Sequence, residues 1–261
     1  MPRPVLAALF LLTAGSVLAQ EGKVAPPAAQ QDPEAAYQDL ARALNKAVAE
    51  WQDEVRKSVK QAQAESKPIP AVAMTPPTKE FIERAQQLAA EYQGKDDAVR
   101  FLGFVCKNAS REKAEVQKAV KTLLADHTAS KAIGDVLQHL DMAAMRFGAR
   151  DDVLAVLDAV VEKNPDAECK AQALLVRGSL RLQAAKTDGQ RAAAKEDLLR
   201  VSQVTKDADL QKQAKDALFE IEHLQIGCKA PDIVAKDTEG LTFRLADYHG
   251  KVVLLDFWGF W

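Results

Sequence analysis

From residue 33 to residue 225 the apolar residues recur every three or four positions, the period of an amphipathic helix. Asp32 is placed as an N-cap, with Pro33 at the first helical position. A long helix is predicted over 33–66, its seam stepping through Tyr37, Ala41, Leu44, Val48, Trp51 and Val55. That spacing suits self-association. The seam fades at Ser58 and Ala62, so packing on the helices that follow is the preferred reading. The Pro-rich stretch 67–78 must break the helix. Beyond it, shorter helices are predicted over 79–93, 96–109, 111–126, 129–146, 151–163, 166–185, 188–203 and 207–225. Their boundaries fall at Gly94, Gly148, "NPDAE" and "KTDGQ", with Pro165 near the start of a helix. Val153, Val156, Leu157, Val160 and Val161 form one such apolar stripe. Short connections between neighbours imply antiparallel helical hairpins.

At Gly227 the helical period is lost. Ile233–Val234 and Leu241–Phe243 flank "KDTEG", a hairpin turn in which Gly240 supplies the unusual dihedral. "LADYHGK" reads as a turn or a single helical turn, and Val252–Phe257 as a strand buried on both faces. The fold class expected is mainly α: helical hairpins over 79–225, then the start of an α/β unit over 226–261. The hairpins have a TPR-like look around "LLVRGSLRLQ", but no clean repeat at 34 residues supports that assignment.

Composition adds exclusions. Net charge is −2 with 28% charged residues of mixed sign, so no basic stripe for nucleic acid is present. The first residues, "MPRPVLAALFLLTAGSVLAQ", have Arg3 in a basic n-region, an apolar core from Val5 to Leu12, and small residues at Val17 and Ala19. A signal peptide over 1–19, cleaved after Ala19, is expected, followed by a spacer over 20–32. The apolar core falls short of the roughly 20 residues a membrane span needs. Gln20 rather than cysteine follows the cut, so no stable membrane anchor is expected. The expected location is periplasmic or secreted. Cys106, Cys169 and Cys228 show no CxxC or metal-type spacing and read as small hydrophobes, with a Cys106–Cys169 bridge the alternative. His127, His139, His223 and His249 form no HxxxH or HExxH pattern and are expected at the surface or at caps. No metal or cofactor is expected.

The tail carries five features in order: Gly227-x-x-Ala230-Pro231-Asp232, a short hairpin, "LADYHGK", an apolar strand and "FWGFW". In this order they resemble the opening of a thioredoxin-fold domain of the exported TlpA/ResA-type thiol–disulfide oxidoreductases, kin to the AhpC/TSA peroxiredoxins. The resemblance spans residues 226–261 only. It implies disulfide exchange, with protein disulfides or a redox partner protein as the other reactant. A peroxiredoxin-like peroxidase is the alternative within the class. "FWGFW" resembles the stretch before Cys-x-x-Cys and favours exchange. Asp256 takes the place of the acidic residue that thioredoxins bury beneath the cysteine pair, where it would pass a proton to or from the resolving thiol. Trp261 would pack beside the reactive thiol. The alternative readings are a strand-end carboxylate and a core aromatic.

The nucleophile is absent from the 261 residues, and its place would be position 262. Three explanations are open: a UGA codon for selenocysteine read as a stop, a frameshift or fragment, or a helical protein with a vestigial tail. The first is preferred, because the sequence stops where the nucleophile belongs. It requires TGA at codon 262 and an in-frame x-x-Cys after it. The 261-residue chain itself is expected to be inactive. The rival class is a non-enzymatic helical scaffold.

Overall fold

A computed structural model of the chain describes residues 32–69 and 75–259. The expected signal peptide, the spacer before Asp32, residues 70–74 of the linker and Trp261 lie outside the described residues. Within them the protein is mainly α, as its apolar period predicts: ten α-helices and one two-stranded sheet.

The helices are α1 (Pro33–Ala64), α2 (Lys79–Glu91), α3 (Asp97–Asn108), α4 (Lys113–Thr122), α5 (Gly134–Leu137), α6 (Leu140–Arg146), α7 (Arg150–Lys163), α8 (Ala167–Ala184), α9 (Asp188–Val204) and α10 (Ala208–His223). Several of their starts are set by side-chain caps that satisfy otherwise unpaired backbone N–H groups. Asp32 accepts from the Ala35 amide at 2.9 Å, with Pro33 next to it. Asp166 accepts from Glu168 and Cys169, so Pro165 lies one residue before the cap rather than inside the helix. Thr187 and Gln190 close a capping box on α9, and Asp207 caps α10.

One predicted helix is broken. Residues 129–146 divide into a 3-10 turn (Lys131–Ile133), α5 and α6. Ser130 accepts from the Ala132 amide and starts the 3-10 turn. The segment is further held by the next helical pair. Fully buried Asn164 donates to the Thr128 and Ser130 carbonyls, both at 2.9 Å, and accepts from the Asp166 amide. Cys169 Sγ reaches the Lys131 carbonyl at 3.3 Å. These tertiary bonds override a local helical period that carries no Pro to announce the break.

α1 packs on α2 and α3 through Tyr37, Ala41, Leu44 and Val48, the first four of the six seam positions. Tyr37 meets Phe101 and Phe104 at ring separations of 6.2 and 6.1 Å, and Tyr92 stacks on Phe101 at 5.6 Å. This is the packing preferred from the sequence. α8 lies between two cores and is therefore buried on most sides. Cys169, Ala173, Val176 and Leu180 join the large core built from α1 to α8. Ala171, Leu174 and Leu175 join a smaller one with Leu198, Val201 and Ala214.

Where α7, α8 and α9 meet, Arg177 forks onto Asp197, Nε at 2.9 Å and Nη2 at 2.5 Å, and reaches Asp158 at 2.7 Å. Arg181 adds a second cation to Asp197 at 2.7 Å. Burial alone would lower the Arg177 pKa, but hydrogen bonds and charge from Asp197 and Asp158 outweigh it and hold the pKa raised. Bidentate geometry is what lets an ion pair survive away from water.

Candidate functional site in the C-terminal segment

The tail is built around one carboxylate. β1 (Val234–Lys236) pairs antiparallel with β2 (Thr242–Arg244), placing Ala235 opposite Phe243. The turn between them is an Asx device: Asp237 Oδ1 accepts from the Glu239 and Leu241 amides, and Gly240 takes φ +83°. Asp232, just before β1, accepts from Arg244 Nε at 2.9 Å and Nη2 at 2.6 Å through one oxygen. Its other oxygen accepts from the Ala246 amide at 3.0 Å. These bonds, Arg244 first, hold the Asp232 carboxyl below the usual carboxylate range. Asp247 in turn accepts from the Arg244 amide. Asp232 therefore ties the lead-in segment, the end of β2 and the 3-10 turn Leu245–Tyr248 into one unit.

The sequence-predicted site residues fare differently. The expected strand over Val252–Phe257 is not formed among the described residues. Residues 252–258 are exposed and carry no ladder, because no partner strand stands beside them. Asp256 lies in this segment and is exposed, not buried beneath a reactive pair. Trp261 lies outside the described residues. Cys106, Cys169 and Cys228 are all free thiols, so the Cys106–Cys169 bridge is not made. Burial pushes the Cys106 thiol up to about 12, and burial with the nearby Asp166 charge raises Cys169. Both are poor nucleophiles in that state. Cys228 is exposed in the loop after α10. Among the histidines, His223 and His249 are at the surface and half-buried His139 is the N-cap residue of α6, as expected, whereas His127 is buried.

The described residues contain no group of three or more metal-ligating side chains. None of their helices is long and apolar enough to cross a membrane.

Comparison with known proteins bears on a short stretch of the chain. A stretch of 36 residues, 14% of the chain, is 56% identical to the thiol-disulfide oxidoreductase ResA of Geobacillus thermodenitrificans and covers 21% of that protein. The same protein from Geobacillus kaustophilus is 53% identical over 36 residues, again 21% of its length. That of Bacillus thuringiensis is 48% identical over 40 residues, 23% of its length. Over a short stretch the chain thus has a thioredoxin-like relationship. It spans under a quarter of the length of these relatives. No family model and no solved structure matches the chain.

One residue of the tail is more informative in the structure than in the sequence. In the sequence the Asp of Ala-Pro-Asp is a motif letter only. Its partner Arg244 sits 12 residues away, and no local period points to it.

Proposed function

We propose that the tail opens a thioredoxin-like thiol–disulfide exchange domain, carried behind a helical region in an exported protein. The observation that carries this reading is the 56% identity over 36 residues to a thiol-disulfide oxidoreductase, a length equal to the motif-bearing stretch 226–261. The Asp232 lock supports it, because it gives the Ala-Pro-Asp motif a physical role, that of fixing the hairpin against the turn that feeds the next segment. In such a domain a thiolate at a helix start attacks a substrate disulfide. The substrate S–S bond breaks, one of its sulfurs leaving as a thiolate and the other held in a mixed disulfide; the second cysteine then displaces that sulfur as a thiolate and leaves the enzyme pair as a disulfide, which an added dithiol must reduce for another turn. Asp256 would take up or return the proton of that second thiol. Selenocysteine at the attacking position would do the same chemistry. Insulin-disulfide reduction tests the reading. Protein in which "FWGFW" is followed by Cys-x-x-Cys, or selenocysteine-x-x-Cys, and a thioredoxin-like remainder should reduce insulin. The 261-residue chain, which contains no Cys-x-x-Cys, serves as the blank. An intact pair that leaves insulin oxidised rejects the proposal. Mature protein beginning at Gln20 would support export.

A second reading is a helical interaction protein, including self-association through residues 33–66. It is favoured by the location of both cores, whose buried members all lie between Ala36 and Ala214. Sedimentation of residues 33–225 tests self-association, which a monomer removes.

A further inference from the structure

α4 does not end as an α-helix. It runs into a π-helical turn, Leu123–His127. π turns are uncommon and recur at functional positions. This one is anchored at both ends. Leu123 is fully buried at its start. Beyond its end, Asn164 donates to the Thr128 and Ser130 carbonyls. Between the anchors Leu124 and Thr128 are half-buried, and Ala125 and Asp126 are exposed. His127 alone is buried there, with 3% of its surface exposed. One imidazole therefore holds the turn against the body.

That imidazole is poorly served where it lies. Its Nε2 is shut off from solvent and has no hydrogen-bond partner among the described residues. A neutral ring tolerates one unpaired nitrogen at a modest cost. A protonated ring donates from both nitrogens, so Nε2–H would become a charged donor, buried and unanswered, which costs far more. The charges that act on the ring belong to exposed carboxylates: Asp126 on its own turn and Asp96 at the start of α3. α2 lines the same corner with neutral Gln86 and Gln93, and α4 with exposed Lys118. α7 also packs on the turn and contributes none of the charges that act on the ring. Burial, opposed by Asp126 and Asp96, lowers the His127 pKa.

We propose that His127 is an acid-released latch: on protonation the imidazole leaves the core for the Asp126 and Asp96 carboxylates, and the turn from Leu124 to Thr128 opens while Leu123 and Asn164 hold its two ends. A histidine released into solvent titrates near 6.5, above its lowered value in the closed turn. Opening is therefore favoured as pH falls below about 6.5. It uncovers the corner between α2, α3 and α4 and leaves the rest of the two cores closed. The latch is unrelated to the disulfide chemistry proposed for the tail, and its test does not depend on that reading.

Hydrogen exchange of the full chain between about pH 7.5 and about pH 5.5, corrected for the intrinsic rate at each pH, is the test. The Ser130 amide, which donates to the His127 carbonyl at 3.0 Å, reports the turn directly. The amides of 124–130 should lose protection by up to about tenfold over this range, the limit set by one proton. Their exchange should not respond to dilute urea, because a local opening exposes little surface, whereas that of the α9 amides should. His127→Phe keeps a ring in the core and cannot titrate, so it should remove the pH response of the turn. His127→Gln, also without charge, serves if the first variant fails to fold. Constant protection of 124–130 across this range in the unaltered chain overturns the proposal. So does turn exchange that follows α9 in both rate and urea response, since the turn then opens only with the whole molecule. A pH response kept in either variant overturns it too, because another group would be titrating.

Discussion

At the scale of single residues the strongest constraints are polar groups taken out of water. Asp197 is 2% exposed and holds both Arg177 and Arg181. Asp197→Ala leaves the Arg177 guanidinium buried with only Asp158 to answer it. Loss of one member of a buried pair costs about 3–5 kcal/mol, and the surviving Asp158 contact places the expected loss near 3 kcal/mol. Urea denaturation followed by helical circular dichroism reads it directly. Removing Asp158 instead, whose side chain is more than half exposed, should cost far less. The two buried or half-buried histidines set a pH dependence. Burial lowers His127 against the raising charges of Asp126 and Asp96. It lowers His139 too, with Lys107 adding to it and Asp141 opposing. A histidine whose folded pKa is lowered takes a proton more readily when unfolded. Its contribution is therefore complete above the unfolded value of about 6.5 and is lost as pH falls through the folded pKa. Stability should fall as pH drops below about 6.5, each histidine contributing at most about 1.4 kcal/mol per pH unit. His127→Gln should flatten the curve, and a pH-independent unfolding midpoint in the unaltered protein would contradict the burial of both rings.

At the scale of elements, close approach decides. α8 and α9 are in intimate contact because Gly178 has no side chain: a Cβ there would sit 2.9 Å from Leu198 Cγ and 3.2 Å from the Ala194 carbonyl. Gly178→Ala gains helix propensity but must push α9 outward, and overpacking of this kind costs about 1–3 kcal/mol. Net destabilisation, seen as a lower thermal midpoint, is the expected result, whereas a raised midpoint would mean that Leu198 moves freely. The elements themselves are largely legible in the sequence. The Asp32 cap with Pro33, the boundary at "KTDGQ" and the four-three seam of α1 are local features, and local features survive in a sequence. The break within 129–146 is not legible, because Asn164 and Cys169, the residues that hold it, come from the next helical pair. His127 reads as a surface or capping residue for the same reason, and a lone histidine looks alike in sequence whether the fold buries it or not. In the tail, the hairpin and its Gly240 turn can be read from "KDTEG", but the strand at 252–257 cannot form from its own apolar run. A strand needs a neighbour to take its hydrogen bonds, and none is present among the described residues.

At the scale of the molecule, the helical region and the tail differ in how they treat apolar surface. The helical region closes two cores with members from Ala36 to Ala214. The tail leaves Val252, Leu254, Phe257 and Trp258 exposed, at 104%, 92%, 81% and 73%. None of these four belongs to either core. An exposed apolar run of this kind, outside any sheet among the described residues, is a template for another strand, whether the rest of a thioredoxin-like sheet or a neighbouring molecule. The 261-residue chain should therefore bind the dye ANS at neutral pH and associate as its concentration rises. Leu254→Lys with Phe257→Lys should remove most of the dye fluorescence and the association, because both side chains are exposed to solvent. The same pair should leave the helical unfolding midpoint within about 1 °C, since a surface change away from any packed feature is worth within about 0.5 kcal/mol. A fall of several degrees would mean that the tail packs on the helices in solution. An unchanged midpoint together with lost dye binding would assign the apolar run to a partner strand rather than to the helical cores.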